Sequence, residues 1–393
     1  MLNSCSNSKS DKKILYVFAG EFPWEVRIEK FLSSLSKVYN VAILTGNTQN
    51  RQTEEIYNDI QIFRYANNFT NTVIKFLLYF FTWGYAIYKY TKKYKPDIVI
   101  LREIPLLLPA IIVTKIFKIK LVVDVAENMP ELLKSYASNS KNFFLKMVYC
   151  YLPIYTFIES QLKSADKILV VVEESKQRLV DSYSIDSSKI EIISNYPYLI
   201  NLKQKEERYK DDTFRITYTG NIDSDFRGIQ TVVDAAKILQ SNESIQFNII
   251  GDGNFLDFCK QKAQNLLNIN FLGKYNHDEL LEYLKTQDIG IVPHTKSPVI
   301  EYTIPNKIFD YMASSIPVIV SSARPLKRIV EEADCGYVFE AENPQDLANV
   351  ITYIYNHQEE LKDKAINGYN SIKSFYNWEE TERTLLDTIK NVI

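Results

Sequence analysis

Short apolar runs alternate with stretches of helical periodicity almost from end to end of this chain. That pattern belongs to parallel strands buried on both faces by crossover helices. In the first half the runs are KILYVF (13–18), VAILT (41–45), DIVIL (97–101), KLVVDV (120–125), KILVVV (167–172) and IEII (190–193). Between the first two, Ile28, Phe31, Leu32, Leu35 and Val38 recur at helical spacing, which completes one βαβ step. The stretch 194–213, SNYPYLINLKQKEERYKDDT, breaks the rhythm with Asn, Pro and mixed charges, as a linker does. The rhythm then restarts with FRITYTG (214–220), IQFNIIGDG (245–253), INFLG (269–273), DIGIVP (288–293), PVIVSS (317–322) and GYVFE (336–340). The fold class read from this is α/β, with two doubly wound domains in tandem. The expected boundaries are a polar, flexible tail at 1–12, a first domain at 13–196, a linker at 197–213 and a second domain at 214–376.

Composition agrees with that picture. The 393 residues exceed one ordinary core, and 46% apolar with 24% charged residues is the balance of a globular protein. The four cysteines are scattered without metal-ligand spacing, which points to free thiols, a reducing compartment and a cytoplasmic protein. No apolar run is long enough to span a bilayer. The formal charge of −2 hides an asymmetry: residues 1–196 sum to +6 and residues 197–393 to −8. A mildly basic first half suits an anionic surface but lacks the basic stripe of a nucleic-acid binder, so no nucleic-acid partner is expected. The segment 71–95 is apolar nearly all round its helix and ends in lysines, and residues 73–120 carry nine Lys and Arg against two acids. Two readings stand: an interfacial helix on anionic lipid at the inner face of the cell membrane, or a core helix covered by residues 143–155.

Candidate chemistry gathers at the carboxyl ends of the strands, where open α/β sheets bind ligands. Gly20, Gly220, Gly251, Gly253 and Gly273 each follow an apolar run. Arg227 and Gly228 stand just ahead of a helix, so a guanidinium and free N–H groups can face one anion. Asp223, Ser224 and Asp225 have the spacing of a metal-binding pair, but an arginine beside them favours an ordinary turn, and no metal is expected. In IPNKIFDYMASSIPVIVSS (304–322), Asn306, Lys307 and Asp310 share one helical face, with Pro305 in the first turn. Asp124 and Glu127, in VVDVAENMPEL, end a first-half strand, where acids orient sugar hydroxyls, move protons or cap the next helix. None of His277, His294 and His357 forms an i, i+4 metal pair, and neither Gly-x-Ser-x-Gly nor Cys-x-x-Cys is present. His294, in VPHTKSP after a strand, reads equally as cleft-lining or as surface polarity.

Taken together, YTGNIDSDFRGIQTVVDAAKIL, FNIIGDG, INFLGKYNHDELLEYLKTQDIGIVP, PNKIFDYMASSIPVIVS and EEADCGYVFEAENPQDLANVI resemble the group 1 glycosyltransferases, the retaining enzymes of glycosyltransferase family 4. PWEVRIEKFLSSLSKVYNVAILT and ADKILVVVEESKQRLV look like the first-half counterparts. The resemblance implies a GT-B fold, two Rossmann-like domains facing a central cleft, with the final helix 377–393 returning to complete the first domain. It implies transfer of a hexosyl group from a nucleoside diphosphate sugar, UDP favoured, to a glycan or a polyprenyl- or other lipid-linked acceptor of surface polysaccharide or glycolipid biosynthesis, with no separate cofactor. Arg227 then matches a donor-phosphate contact, Lys307 lies near the same diphosphate, Asp310 matches the second acid of a Glu-x7-Glu motif, and Tyr275 falls in the base-binding loop. Asn221 stands where an arginine is usual, Tyr302 where the first acid belongs with Glu301 one place early, Ser315 where glycine is frequent, and Ala126 where many members place a histidine. The catalytic candidates are therefore Glu127 and Glu301, and the donor-binding candidates include Gly20, Gly220, Asn221, Gly251, Gly253 and Asn306. A nucleotide-sugar 2-epimerase and a catalytically inactive partner subunit are the alternatives.

Overall fold

The apolar runs become strands in two separate parallel sheets, seen in a computed structural model that describes residues 9–23, 25–66, 72–138, 142–202 and 212–393. The chain divides into unit 1, which comprises the residues up to Ser194 together with Glu382–Ile393, and unit 2, Asn195–Thr381. Residues 1–8 of the expected tail and 203–211 of the expected linker lie outside the described residues. Within the tail, the Ser10 N–H donates to the Val38 carbonyl at 2.8 Å.

Unit 1 holds β1 (Lys13–Val17), β2 (Asn40–Gly46), β3 (Glu54–Tyr57), β4 (Ile60–Tyr65), β5 (Ile98–Leu101), β6 (Lys120–Val125), β7 (Lys167–Val170) and β8 (Ile190–Ile192). They lie in the order β3-β4-β2-β1-β5-β6-β7-β8, parallel except for β3 against β4. The strand order reverses between β1 and β5, so the loops after those strands part there and leave a crevice. The β3–β4 hairpin went unread in the sequence, because its outer strand is short and half charged. Its turn is made by Asn58 and Asp59, both at positive φ, as a two-residue hairpin loop demands.

Helix α1 (Val26–Ser36) buries Ile28, Phe31, Leu32 and Leu35 and is capped by the Glu25 carboxylate, which accepts from the Ile28 N–H. Helix α2 (Thr72–Tyr94) divides its apolar residues between two surroundings. Trp83, Ala86, Ile87 and Tyr90 enter the core, whereas Phe81, Tyr85 and Tyr88 remain exposed. Helix α3 (Leu107–Phe117) runs beside it in the same direction: Gly84 lies against Pro109, and the Tyr88 ring is 5.4 Å from that of Phe117. Ile112, Ile116 and Phe157 are exposed too, and with α2 they line an apolar groove of about 650 Å³. The segment 143–155 covers this face only in part: Ile154 joins the groove lining and Tyr149 and Tyr155 pack on the core, whereas Phe143, Met147 and Tyr151 are exposed.

Unit 2 holds β9 (Phe214–Thr219), β10 (Ile245–Ile250), β11 (Ile269–Gly273), β12 (Ile289–Val292), β13 (Val318–Ser321) and β14 (Gly336–Phe339). Their order is β11-β10-β9-β12-β13-β14, all parallel. The switch point falls between β9 and β12, and the loops that follow these two strands carry most of the chemistry. The chain closes with a helix, Trp378–Val392, whose residues from Glu382 onward belong to unit 1, where Leu385 and Ile389 are fully buried.

Candidate functional site

At the switch point of unit 2, three loops pack so closely that side chains are excluded. A Cβ on Gly251 would lie 1.9 Å from the Gly220 carbonyl oxygen, and one on Gly228 would lie 1.7 Å from that of Pro293. Both glycines have positive φ, so any other residue is strained there as well as obstructed. Gly253 meets the backbone of Ile222 in the same way. The Thr295 N–H donates to the Phe226 carbonyl at 3.0 Å, which fixes the loop after β12 against the loop that carries Arg227.

Lys307 reaches into this packing from the helix Lys307–Ala313. Its Nζ lies 3.6 Å from the centre of the Tyr218 ring, and a Cβ on Gly220 would come within 3.0 Å of it. The Tyr218 hydroxyl donates to the Asn221 carbonyl at 2.7 Å, so the ring is held in place beneath the ammonium. Nζ is sealed from solvent and has no hydrogen-bond partner among the described residues. Burial pulls the lysine well below its ordinary range, Arg227 adds to that, and Asp223 and Asp310 oppose it. The helix itself is pinned to β9, because the Tyr311 hydroxyl accepts from the Thr219 N–H at 2.9 Å. It starts at Lys307 with Asn306 as its N-terminal flank, which leaves Pro305 outside the first turn where the sequence reading put it. The Asn306 side chain makes no capping bond and is exposed.

Arg227 is engaged with Asp223, Nε to Oδ1 at 3.0 Å and Nη2 to Oδ2 at 3.4 Å. The hydrogen bond from Arg227 holds the Asp223 carboxyl below the usual carboxylate range. His294 follows β12 and is 1% exposed, which overturns the surface-polarity reading. Neither ring nitrogen has a partner among the described residues. Burial first, then the charges of Lys307 and Arg227, push it well below the ordinary histidine value. Sequence reasoning left His294 undecided because only the packing of Gly228 on Pro293 places it inside.

The remaining unit 2 candidates lie around this centre. Asp310 is half-buried one turn along from Lys307. Asn221 is exposed on the loop after Gly220. Tyr275, after β11, sits edge-on to Tyr283 with ring centres 5.3 Å apart. Glu301 is tied to Arg324: its Oε2 accepts from Nε at 2.7 Å and its Oε1 from the backbone N–H at 3.2 Å, at the start of the helix Arg324–Ala333. The Arg324 guanidinium also lies 4.9 Å from the Tyr302 ring centre.

In unit 1 the sequence candidates fare differently. Gly20 lies in the loop after β1, and its carbonyl accepts from the Thr45 hydroxyl and the Gly46 N–H. Glu127 is exposed just beyond β6. Asp124 is turned inward, away from the helix-capping role: it is fully buried, bound by Arg27 at 2.6 Å, Arg102 at 3.2 Å and the Tyr16 hydroxyl at 2.9 Å. A group the sequence reading missed is Glu103, which follows β5 at the switch point. Burial raises its carboxyl above the usual range, Arg102 and the Ala19 N–H hold it down, and nearby Glu127 pushes it up. An acid two residues after the run DIVIL was the available signal.

Residues 200–371 match the family model of glycosyl transferases group 1. This segment is a group 1 glycosyl transferase domain. A stretch of 156 residues is 28% identical to an uncharacterized glycosyltransferase of Methanocaldococcus jannaschii, covering 39% of this chain and 42% of that protein. The chain thus spans less than half the length of the curated relative it matches. Among solved structures, sucrose-phosphate synthase of Thermosynechococcus elongatus superposes with a TM-score of 0.76 at 15% identity, over 97% of this chain and 99% of that one. A glycosyltransferase of Rickettsia africae gives 0.72 at 17% identity, over 97% and 98%. HepE of Anabaena, solved in complex with UDP, gives 0.71 at 13% identity, over 96% and 100%. At these identities the likeness establishes the architecture, and the architecture is GT-B. The glycosyltransferase domain accordingly places its close-packed glycine loops, Lys307 and Arg227 at one switch point.

Proposed function

We propose that the chain is a retaining hexosyltransferase that moves a sugar from a nucleoside diphosphate donor, a UDP-sugar by preference, to a glycan or lipid-linked acceptor. The observation that carries this reading is Lys307, whose sealed Nζ has no hydrogen-bond partner among the described residues and feels Arg227 nearby, in a group 1 glycosyl transferase domain. A buried cation is costly unless an anion compensates it, and a diphosphate at the end of β9 is such an anion. In the proposed reaction the bond from the anomeric carbon to the diphosphate breaks while the acceptor oxygen bonds to the same face. The acceptor's proton passes to the departing phosphate oxygen. Stabilising that leaving charge is the main electrostatic task, and it falls to Arg227 and Lys307 without a metal. Asp310 holds the ribose, Tyr275 meets the base, and Glu127 is the acid contributed by the first unit.

The surface polysaccharide or glycolipid setting, at the cytoplasmic face of a membrane, draws support from the apolar groove of unit 1. Lys89 and Lys92 lie beyond Tyr85 and Tyr88 on α2, and Lys115 and Lys118 at the end of the parallel α3. One end of an exposed apolar face is thereby basic, as anionic headgroups would require. Among the described residues no helix is long and apolar enough to cross a membrane.

The test is a panel of UDP-, GDP- and ADP-sugars scored by thermal stabilisation, followed by product analysis with a hit. A donor present at a hundred times its Kd stabilises by about 2.7 kcal/mol, and the transferred sugar should keep its anomeric configuration. Absence of stabilisation by every member would sink the reading. Binding without hydrolysis or transfer would instead favour an inactive partner subunit.

A further inference from the structure

His294 shares its surroundings with Lys307 and Arg227, and neither of its ring nitrogens has a hydrogen-bond partner among the described residues, an arrangement that a resting protein gains nothing from keeping. Its backbone is held by the same close packing that seats Gly228 on Pro293. The charged groups acting on it are Lys307, from the helix Lys307–Ala313, and Arg227, from the loop after β9. Those two are in turn matched by Asp310 and Asp223, which act on Lys307 from the same helix and the same loop. Even with Lys307 protonated, these two cations and two carboxylates sum to zero, whereas a nucleoside diphosphate brings at least two negative charges. One further positive charge is wanted, and the imidazole is the titratable group placed to provide it.

We propose that His294 is a proton-linked donor to the diphosphate: neutral when that anion is absent, it takes up a proton when the anion seats on Lys307 and Arg227. This rests on the diphosphate site proposed above. Burial is the first reason the ring is neutral and the two neighbouring cations add to it; an anion offsets those charges and supplies the acceptor that the ring N–H groups lack, so binding and protonation favour each other. By linkage, affinity then falls as pH rises, by up to about tenfold per pH unit for a full proton. A nucleoside diphosphate product, which carries more charge than the sugar donor, should draw the larger share of a proton.

The experiment is calorimetric titration of the full chain with UDP, and in parallel GDP and ADP, at pH 8 in two buffers of different ionisation enthalpy. At that pH the terminal phosphate is already ionised, so protons taken up enter the protein. The expected result is net uptake by the wild type, lost by at least half in His294→Gln and in His294→Asn, with diphosphate affinity reduced several-fold. Imidazole NMR of the wild type, which has three histidines, should show one ring becoming protonated on UDP addition, and it serves even if both variants misfold. Tight binding with no uptake and no change in any ring signal overturns this proposal while leaving the diphosphate site standing. Unchanged uptake in folded His294 variants assigns the proton to Lys307 and overturns it as well. No binding of any of the three nucleotides removes both readings.

Discussion

Lys307 sets stability against binding at a single side chain. Its Nζ is sealed over Tyr218 with no hydrogen-bond partner among the described residues, so Lys307→Met, which keeps the stem and removes the charge, should raise the melting temperature of the ligand-free protein. The same change should weaken nucleoside diphosphate binding at least tenfold, about 1.4 kcal/mol. Arg227→Ala should weaken binding by less, because Arg227 is already engaged by the Asp223 carboxylate. Calorimetry on the two variants beside a melting curve separates these effects, and a Lys307→Met protein that melts lower and binds as well as wild type would contradict both. His294 adds a pH dependence whose sign follows from its lowered value. The unfolded chain takes up that proton first as pH falls, so the stability owed to the neutral ring is present above about 6.5 and lost below it.

Among the elements, β6 carries a buried charge cluster whose role the sequence did not disclose. Asp124 is 0% exposed and holds two arginines and a tyrosine from three other segments. Burial works against its ionised form, but Arg27 and Arg102 outweigh burial and hold its carboxyl below the usual range. Asp124→Asn should therefore destabilise unit 1 by about 3–5 kcal/mol, since both guanidiniums lose their counter-charge. In the wild type this contribution is present above the unfolded carboxylate value of about 3.9 and disappears as pH falls below it. Denaturant melts from pH 7 to 3 should find the wild type converging on the variant at the acid end. Strands such as β1, β6, β9 and β12 could be read from the chain because both of their faces are buried. The acid inside β6 could not be understood that way, because its partners Tyr16, Arg27 and Arg102 are 22 to 108 residues distant. The surroundings of α2 were equally closed to inspection: a helix apolar on every side has no face of its own, and only α3 and the core decide which side is covered. Arg227 was legible as a candidate because a guanidinium and free N–H groups just ahead of a helix can face one anion, and Lys307 because it shares one helical face with Asn306 and Asp310, whereas His294 needed the loop packing to be recognised.

At the scale of the molecule, the exposed groove of unit 1 predicts where the protein goes. Lipid vesicles containing phosphatidylglycerol should retain the chain better than neutral ones. Phe81→Ser with Tyr85→Ser should abolish retention on both. Removing the charges of Lys89, Lys92, Lys115 and Lys118 should lower only the anionic preference, by roughly 1 kcal/mol, or fivefold, per lysine close to the surface. Lys93 belongs outside that set, because it is already paired with Glu54 at 2.5 Å. Equal partitioning of wild type and the double serine variant would leave the groove without a membrane role.

The return of the final helix to unit 1 has a consequence for the order in which the protein is made. Leu385 and Ile389 fill unit 1, and Glu382 pairs with Lys37 at 2.7 Å, yet these residues leave the ribosome only after all of unit 2. Unit 2 is an insertion in the sequence of unit 1, and so the half that begins first is finished last. A chain cut before Glu382 should show a native-like unit 2 by hydrogen exchange and a unit 1 whose amides exchange early, with α1 and β2 leading.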